Sequence, residues 1–148
     1  MVSFLGPAHC AFCRAHVIKL IQARREFESA NAEVVLVAYH DPERLTAQML
    51  HDLQMPFTLL VDRNRESYAR WGMGLAGWRA MVRPGLYWAL LQRRLRGERN
   101  IGTSPGTGRQ LGGDFIVDRG GRLAFANRLN SFYDRTPITR LLEELRRA

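Results

Sequence analysis

Seven residues, Glu33-Val34-Val35-Leu36-Val37-Ala38-Tyr39, constrain the fold more than any other stretch of this chain. The run is β-branched and almost wholly apolar, which is the condition of a strand covered on both faces inside a parallel sheet. A parallel neighbour has to be reached through a crossover, and the chain supplies one upstream. Apolar Val2-Ser3-Phe4-Leu5 breaks at Gly6-Pro7, and a helix is expected from close to Cys10 to Ser29. Cys13, Val17, Leu20 and Ile21 recur on one face of that helix, while Arg24, Arg25, Glu26 and Glu28 end it in solvent. Strand, helix and strand in this order make a right-handed crossover unit.

The remaining segments extend that unit. Asp41-Pro42 starts a second helix with Leu45, Met49, Leu50 and Leu53 as its buried stripe, ended by Met55-Pro56. Phe57 to Asp62 reads as a strand, and Asn64 to Trp71 as a short helix stopped by Gly72. Residues 72–110 are irregular, with a helix expected over Leu86 to Leu95 and a Gly- and Ser-rich loop after Ile101. Phe115 to Asp118 and Arg122 to Ala126 flank Gly120-Gly121 as a hairpin, and Thr136-Pro137 caps a last helix facing inward through Ile138, Leu141, Leu142 and Leu145. The expected fold class is α/β and thioredoxin-like: one domain over 1–148, a central mixed sheet flanked by helices, and a basic helical insertion before a C-terminal ββα.

Composition excludes several classes. A 148-residue chain with 46% apolar and 24% charged residues is globular in character, and its longest apolar runs fall far short of the roughly 20 residues a spanning helix needs. Two cysteines cannot make a disulfide-rich scaffold. The start at Met1-Val2-Ser3-Phe4 carries no charged leader followed by a long apolar segment, so a cytoplasmic location is expected. Of the +8 net charge, residues 63–109 supply the whole excess.

The chemistry-bearing residues are Cys10 and Cys13, a C-x-x-C at a strand-to-helix junction. Such a pair can cycle between dithiol and disulfide, because the loop and the helix N-terminus hold the sulfurs close and favour a thiolate. Helical spacing makes Cys10 the exposed nucleophile at the helix tip and Cys13, one turn inside, the resolving thiol that closes an intramolecular disulfide. His9, beside Cys10, is a candidate for tuning its thiolate. The alternative is a metal-binding or redox-sensing module in which His9, Cys10, Cys13 and His16 act together. Zinc ligands come as two short pairs brought together by folding, whereas these four lie within eight residues, and no metal or other cofactor is expected.

Three fragments carry a family resemblance: Phe4 to Arg14 with the C-x-x-C, Pro56-Phe57-Thr58-Leu59-Leu60-Val61-Asp62, and Gln110-Leu111-Gly112-Gly113 leading into Asp114 to Gly121. Together they resemble the peroxiredoxin-like branch of the alkyl hydroperoxide reductase and thiol-specific antioxidant superfamily. The resemblance implies a thioredoxin fold and a thiol-dependent antioxidant or reductase role, with Cys10 and Cys13 as the redox pair. It also implies a peroxide or disulfide substrate and re-reduction by a thioredoxin- or glutathione-type thiol. By the same comparison Pro7, Gly112 and Gly113 take the substrate-facing positions. Pro7 stands where peroxiredoxins have Thr or Ser three residues before the reactive cysteine. Gly112-Gly113 stands where they place an arginine and thioredoxins a cis-proline, and Arg109 is offset. Some relatives reduce a lipid endoperoxide, for which the apolar insertion would be a cover.

The insertion mixes Trp78, Tyr87, Trp88, Leu90 and Leu91 with six arginines by Arg99. It is more apolar than a phosphate-tracking groove needs, so no nucleic-acid partner is expected, and a homodimer or peripheral membrane contact through 78–96 is.

Overall fold

The computed structural model describes residues 1–8, 10–45, 47, 50–51, 53–77, 91 and 108–148. His9, the 78–96 segment apart from Leu91, and Thr46, Gln48, Met49 and Asp52 of the expected second helix therefore lie outside the described residues.

The elements follow the expected order. Strand β1 (Val2–Phe4) leads to helix α1 (Ala11–Gln22) and helix α2 (Arg24–Ser29), then strand β2 (Val35–Ala38) and the single turn α3 (Pro42–Leu45). Strand β3 (Thr58–Val61), helix α4 (Glu66–Arg70), strands β4 (Gly113–Val117) and β5 (Leu123–Arg128) and helix α5 (Ile138–Arg147) complete the described set. The sheet has the order β3-β2-β1-β4-β5. β1, β2 and β3 are parallel, as the apolar runs require, and β4 is antiparallel to both β1 and β5. Gly121, at φ 78°, closes the β4–β5 turn in the left-handed region open to glycine.

Three expectations are corrected. The first helix is two helices broken at Ala23, whose N–H bonds back to Lys19 and Ile21. Thr136 does not cap α5; its hydroxyl accepts instead from Asn127 Nδ2 at 2.8 Å, and Pro137 takes the cap position. β4 begins two residues before Phe115, so that a charged residue, Asp114, lies inside a buried strand.

The sheet separates two cores. On the α1 and α5 side Leu5, Cys13, Val17, Leu20, Leu36, Ile116 and Leu141 pack together; on the α4 side Phe4, Val37, Tyr39, Tyr68 and Phe115 do. Successive strand residues alternate between the two. Asp114 therefore shares the α1 face with Ile116, directly across from Ser3 in the β1–β4 register. The ends of the insertion are pinned by an antiparallel bridge between Leu75 and Gln110.

Candidate active site

The dithiol forms at the C-terminal end of β1. Leu5 N–H bonds to Val37 O at 2.8 Å, and the Tyr68 hydroxyl donates to both Leu5 O (2.7 Å) and Val37 O (2.9 Å), so the chain leaves the sheet from a fixed point. Pro7 O then accepts the Cys10 N–H at 2.8 Å, turning the chain into α1 with Cys10 as its N-cap. Cys10 Sγ accepts the Cys13 N–H at 3.4 Å, one of the donors a helix start leaves open. The C-x-x-C spacing is thus used as a cap, which places both sulfurs together.

Both thiols are buried, Cys13 at 1% exposure and Cys10 at 9%. This corrects the expectation of an exposed Cys10. Nearby, Tyr133 meets the Phe12 ring edge-on at 6.3 Å and Phe132 packs against the core that holds both cysteines.

That same segment carries Arg135, which sequence reasoning missed. Its Nη2 lies 3.5 Å from Cys13 Sγ, and its Nη1 donates to Phe4 O at 3.1 Å. Arg109, the arginine nearer the expected place, instead donates from Nε to Ala76 O at 2.8 Å. A signal for Arg135 existed in the topology. β4 opposes β1 and β5 opposes β4, so β5 runs with β1 and the residues after it emerge at the dithiol end.

Gly112 makes the approach possible: a Cβ there would stand 2.0 Å from Phe4 O and 2.9 Å from Arg135 Nη2. A Cβ on Gly113 would stand 2.8 Å from Asn127 O, and on Gly6 3.0 Å from Cys13 Sγ. What the structure gives Pro7, Gly112 and Gly113 is close backbone approach around the pair.

The charge is distributed unequally. The hydrogen bond from the Cys10 thiol is the largest influence on Cys13; burial opposes it, and the Arg135 cation and the Gly6 N–H support it, bringing the Cys13 thiol down to about 6. Giving that hydrogen bond and being buried push Cys10 well up. The inner sulfur is thus the one that both receives the Cys10 hydrogen bond and touches the guanidinium, and both contacts favour a thiolate at Cys13.

His16, three residues beyond Cys13, is buried and its Nε2 lies 3.1 Å from Asp114 Oδ1. A carboxylate only accepts, so Nε2 carries the proton. Among the described residues no group of three or more His, Cys, Asp or Glu is placed to hold a metal ion. Nor is any described helix long and apolar enough to cross a membrane.

A mixed sheet with a buried, arginine-paired C-x-x-C after its central strand defines a thioredoxin-like thiol oxidoreductase. A family model described as AhpC/TSA antioxidant enzyme matches residues 19–131, and the chain belongs to that family of thiol-dependent enzymes. The peroxidoxin BcpB of Mycobacterium tuberculosis is similar in structure, with 15% identity, a TM-score of 0.62, and coverage of 99% of this chain and 78% of that one. A mutant of the peroxiredoxin 6 of Arenicola marina is similar at 11% identity and the same TM-score, covering 97% of this chain and 58% of that one. No curated protein sequence matches the chain. The family match begins after Cys13 and ends before Arg135, so the roles of these residues rest on the geometry alone.

Proposed function

We propose that this protein reduces a small hydroperoxide through the Cys10–Cys13 dithiol and is returned to the reduced state by an external thiol. The observation that carries the reading is the buried Arg135 cation 3.5 Å from Cys13 Sγ, which, beside the hydrogen bond from Cys10, favours a thiolate on that sulfur. In the first step Cys13 S⁻ attacks one oxygen of the O–O bond, giving a Cys13 sulfenic acid and an alkoxide or hydroxide that takes a proton from solvent. The Cys10 thiol then attacks the Cys13 sulfur; the S–O bond breaks, the S–S bond forms, and the Cys10 proton leaves with the hydroxide as water. Two electrons have passed from the dithiol to the peroxide.

Burial supports a small electrophile. A sulfur that is 1% exposed can meet a molecule of a few heavy atoms, whereas a protein disulfide has no approach to it. Re-reduction fits the same asymmetry. An external thiolate of a thioredoxin- or glutathione-type system enters at Cys10, the more exposed sulfur, and displaces Cys13, the better leaving group because its thiolate is the more stable.

Mass spectrometry after one equivalent of hydrogen peroxide tests the assignment. Cys10→Ser should trap a sulfenic acid on Cys13, and Cys13→Ser should consume no peroxide at an enzymatic rate. Peroxide turnover persisting in Cys13→Ser would return the attack to Cys10. Rapid reaction of wild type with a disulfide but with neither hydrogen peroxide nor an organic hydroperoxide would replace the peroxidase by a disulfide reductase.

A further inference from the structure

Arg135 is one cation between two buried anions. Its Nη2 faces Cys13 Sγ, and its Nη1 stands 3.5 Å from Asp114 Oδ1. Asp114 has no exposed surface, and its Oδ1 collects the Ser3 hydroxyl at 2.7 Å from β1 and the His16 Nε2 at 3.1 Å from α1, besides Arg135 from residues 129–137. The groups that bear on Cys13 are Cys10 on its own helix, Arg135, Tyr39 after β2 and Tyr68 on α4. Neither step above uses a carboxylate, and Phe4 O already anchors Nη1, so Arg135 does not need Asp114 merely to reach the sulfur.

We propose that Asp114 is a positioning residue that sets the reducing strength of the dithiol, by competing with the Cys13 thiolate for the single Arg135 guanidinium. The proposal rests on the dithiol reading above. When the pair is oxidised by a hydroperoxide or a disulfide buffer, two electrons leave, the S–S bond forms and the negative charge on Cys13 disappears. Arg135 then has Asp114 as its one anionic neighbour among the described residues, and the competition ends. Asp114 therefore raises the free energy of the reduced, thiolate form relative to the disulfide form, and makes the pair a stronger reductant than Arg135 alone would leave it.

The discriminating variant is Asp114→Asn. Oδ2 has no hydrogen-bond partner among the described residues, so an amide nitrogen there displaces no bond, while Oδ1 keeps its three donors. The shape and the Oδ1 contacts are kept while the charge is removed, and the new amide N–H groups take the place of an atom that already had no partner among the described residues. Equilibration of purified protein with glutathione buffers should shift about tenfold toward the reduced form, which is roughly 30 mV for a two-electron couple. The pH midpoint of thiolate absorbance at 240 nm should fall. A residue that merely held Arg135 in place would move both readings the other way, since a displaced guanidinium stabilises the thiolate less.

Ser3→Ala supplies the opposite sign. It removes a neutral donor from Oδ1 and leaves the carboxylate more dependent on Arg135, so the equilibrium should shift toward the disulfide. An unchanged or lowered potential in Asp114→Asn overturns the proposal. Should that variant not fold, a null or positive shift in Ser3→Ala overturns it. Absence of any reversible two-electron couple between Cys10 and Cys13 in wild type would instead remove the dithiol reading itself.

Discussion

Replacing Arg135 by methionine keeps most of the side-chain volume and deletes the cation. A unit charge pair 3.5 Å apart at an effective dielectric near 20 is worth roughly 5 kcal/mol, part of which Asp114 takes from Cys13. One pKa unit is about 1.4 kcal/mol, so a loss of one-third to one-half of that attraction raises the Cys13 thiol by about one to two units. Starting from about 6, the variant should titrate at roughly 7–8. At pH 6 the thiolate fraction falls from about one-half to under one-tenth, and alkylation by iodoacetamide at that pH should slow about five- to fiftyfold. The assay is the rate of alkylation at Cys13, followed site by site with mass spectrometry between pH 4 and 9 and read beside absorbance at 240 nm. Arg135→Lys, which returns a cation without the fork, should recover part of the shift. A midpoint that stays where it was in Arg135→Met would show that the Cys10 hydrogen bond and backbone donors hold the thiolate without the cation, and would remove Arg135 from the mechanism.

Other outcomes follow from the same contacts. Gly112→Ala places a methyl 2.0 Å from Phe4 O, so backbone must move at the β1–β4 junction; a loss of at least about 2 kcal/mol in urea unfolding is expected, with loss of peroxide turnover in the protein that remains folded. Tyr68→Phe removes a buried hydroxyl shared by two carbonyls and should cost about 2 kcal/mol, or roughly 4–8 °C in Tm, with the thiol titration little changed because that hydroxyl touches neither sulfur. The reduced protein should show its own pH dependence. Cys13 titrates near 6 when folded and near 8.5 when unfolded, so the stability it contributes is full above about 8.5 and is lost as pH falls through 6. Scanning calorimetry of the reduced form should therefore show a rise of roughly 2–3 kcal/mol over that interval, which the disulfide form, lacking a titrating thiol, should not. A parallel course for the two forms would contradict the depressed Cys13 thiol.

Much of the fold was legible because its signals are local. Two-sided apolar runs, an N-terminal break at Gly6-Pro7 and a Gly-Gly turn each name an element without reference to distant residues. Asp114, a charge inside an apolar strand, is buried only because distant partners satisfy it. Its partners, Ser3 and His16, lie 111 and 98 residues away. His16 reads from sequence only as part of the metal-binding or redox-sensing alternative for the same reason: nothing within its own helix shows the carboxylate beneath it.

By itself the sequence determined that two thiols stand one helical turn apart at the start of a helix after the first strand, because a cap position and a turn of helix are set by spacing alone. Which thiol meets a cation was decided only in the tertiary structure. Arg135, 122 residues from Cys13, reaches it because β5 runs in the direction of β1, and because Gly112 has no side chain to block the way. Folding also buries Cys10, and burial together with its hydrogen bond to Cys13 raises its thiol. Electrostatics between buried groups depends on distance in space, which only the folded chain fixes.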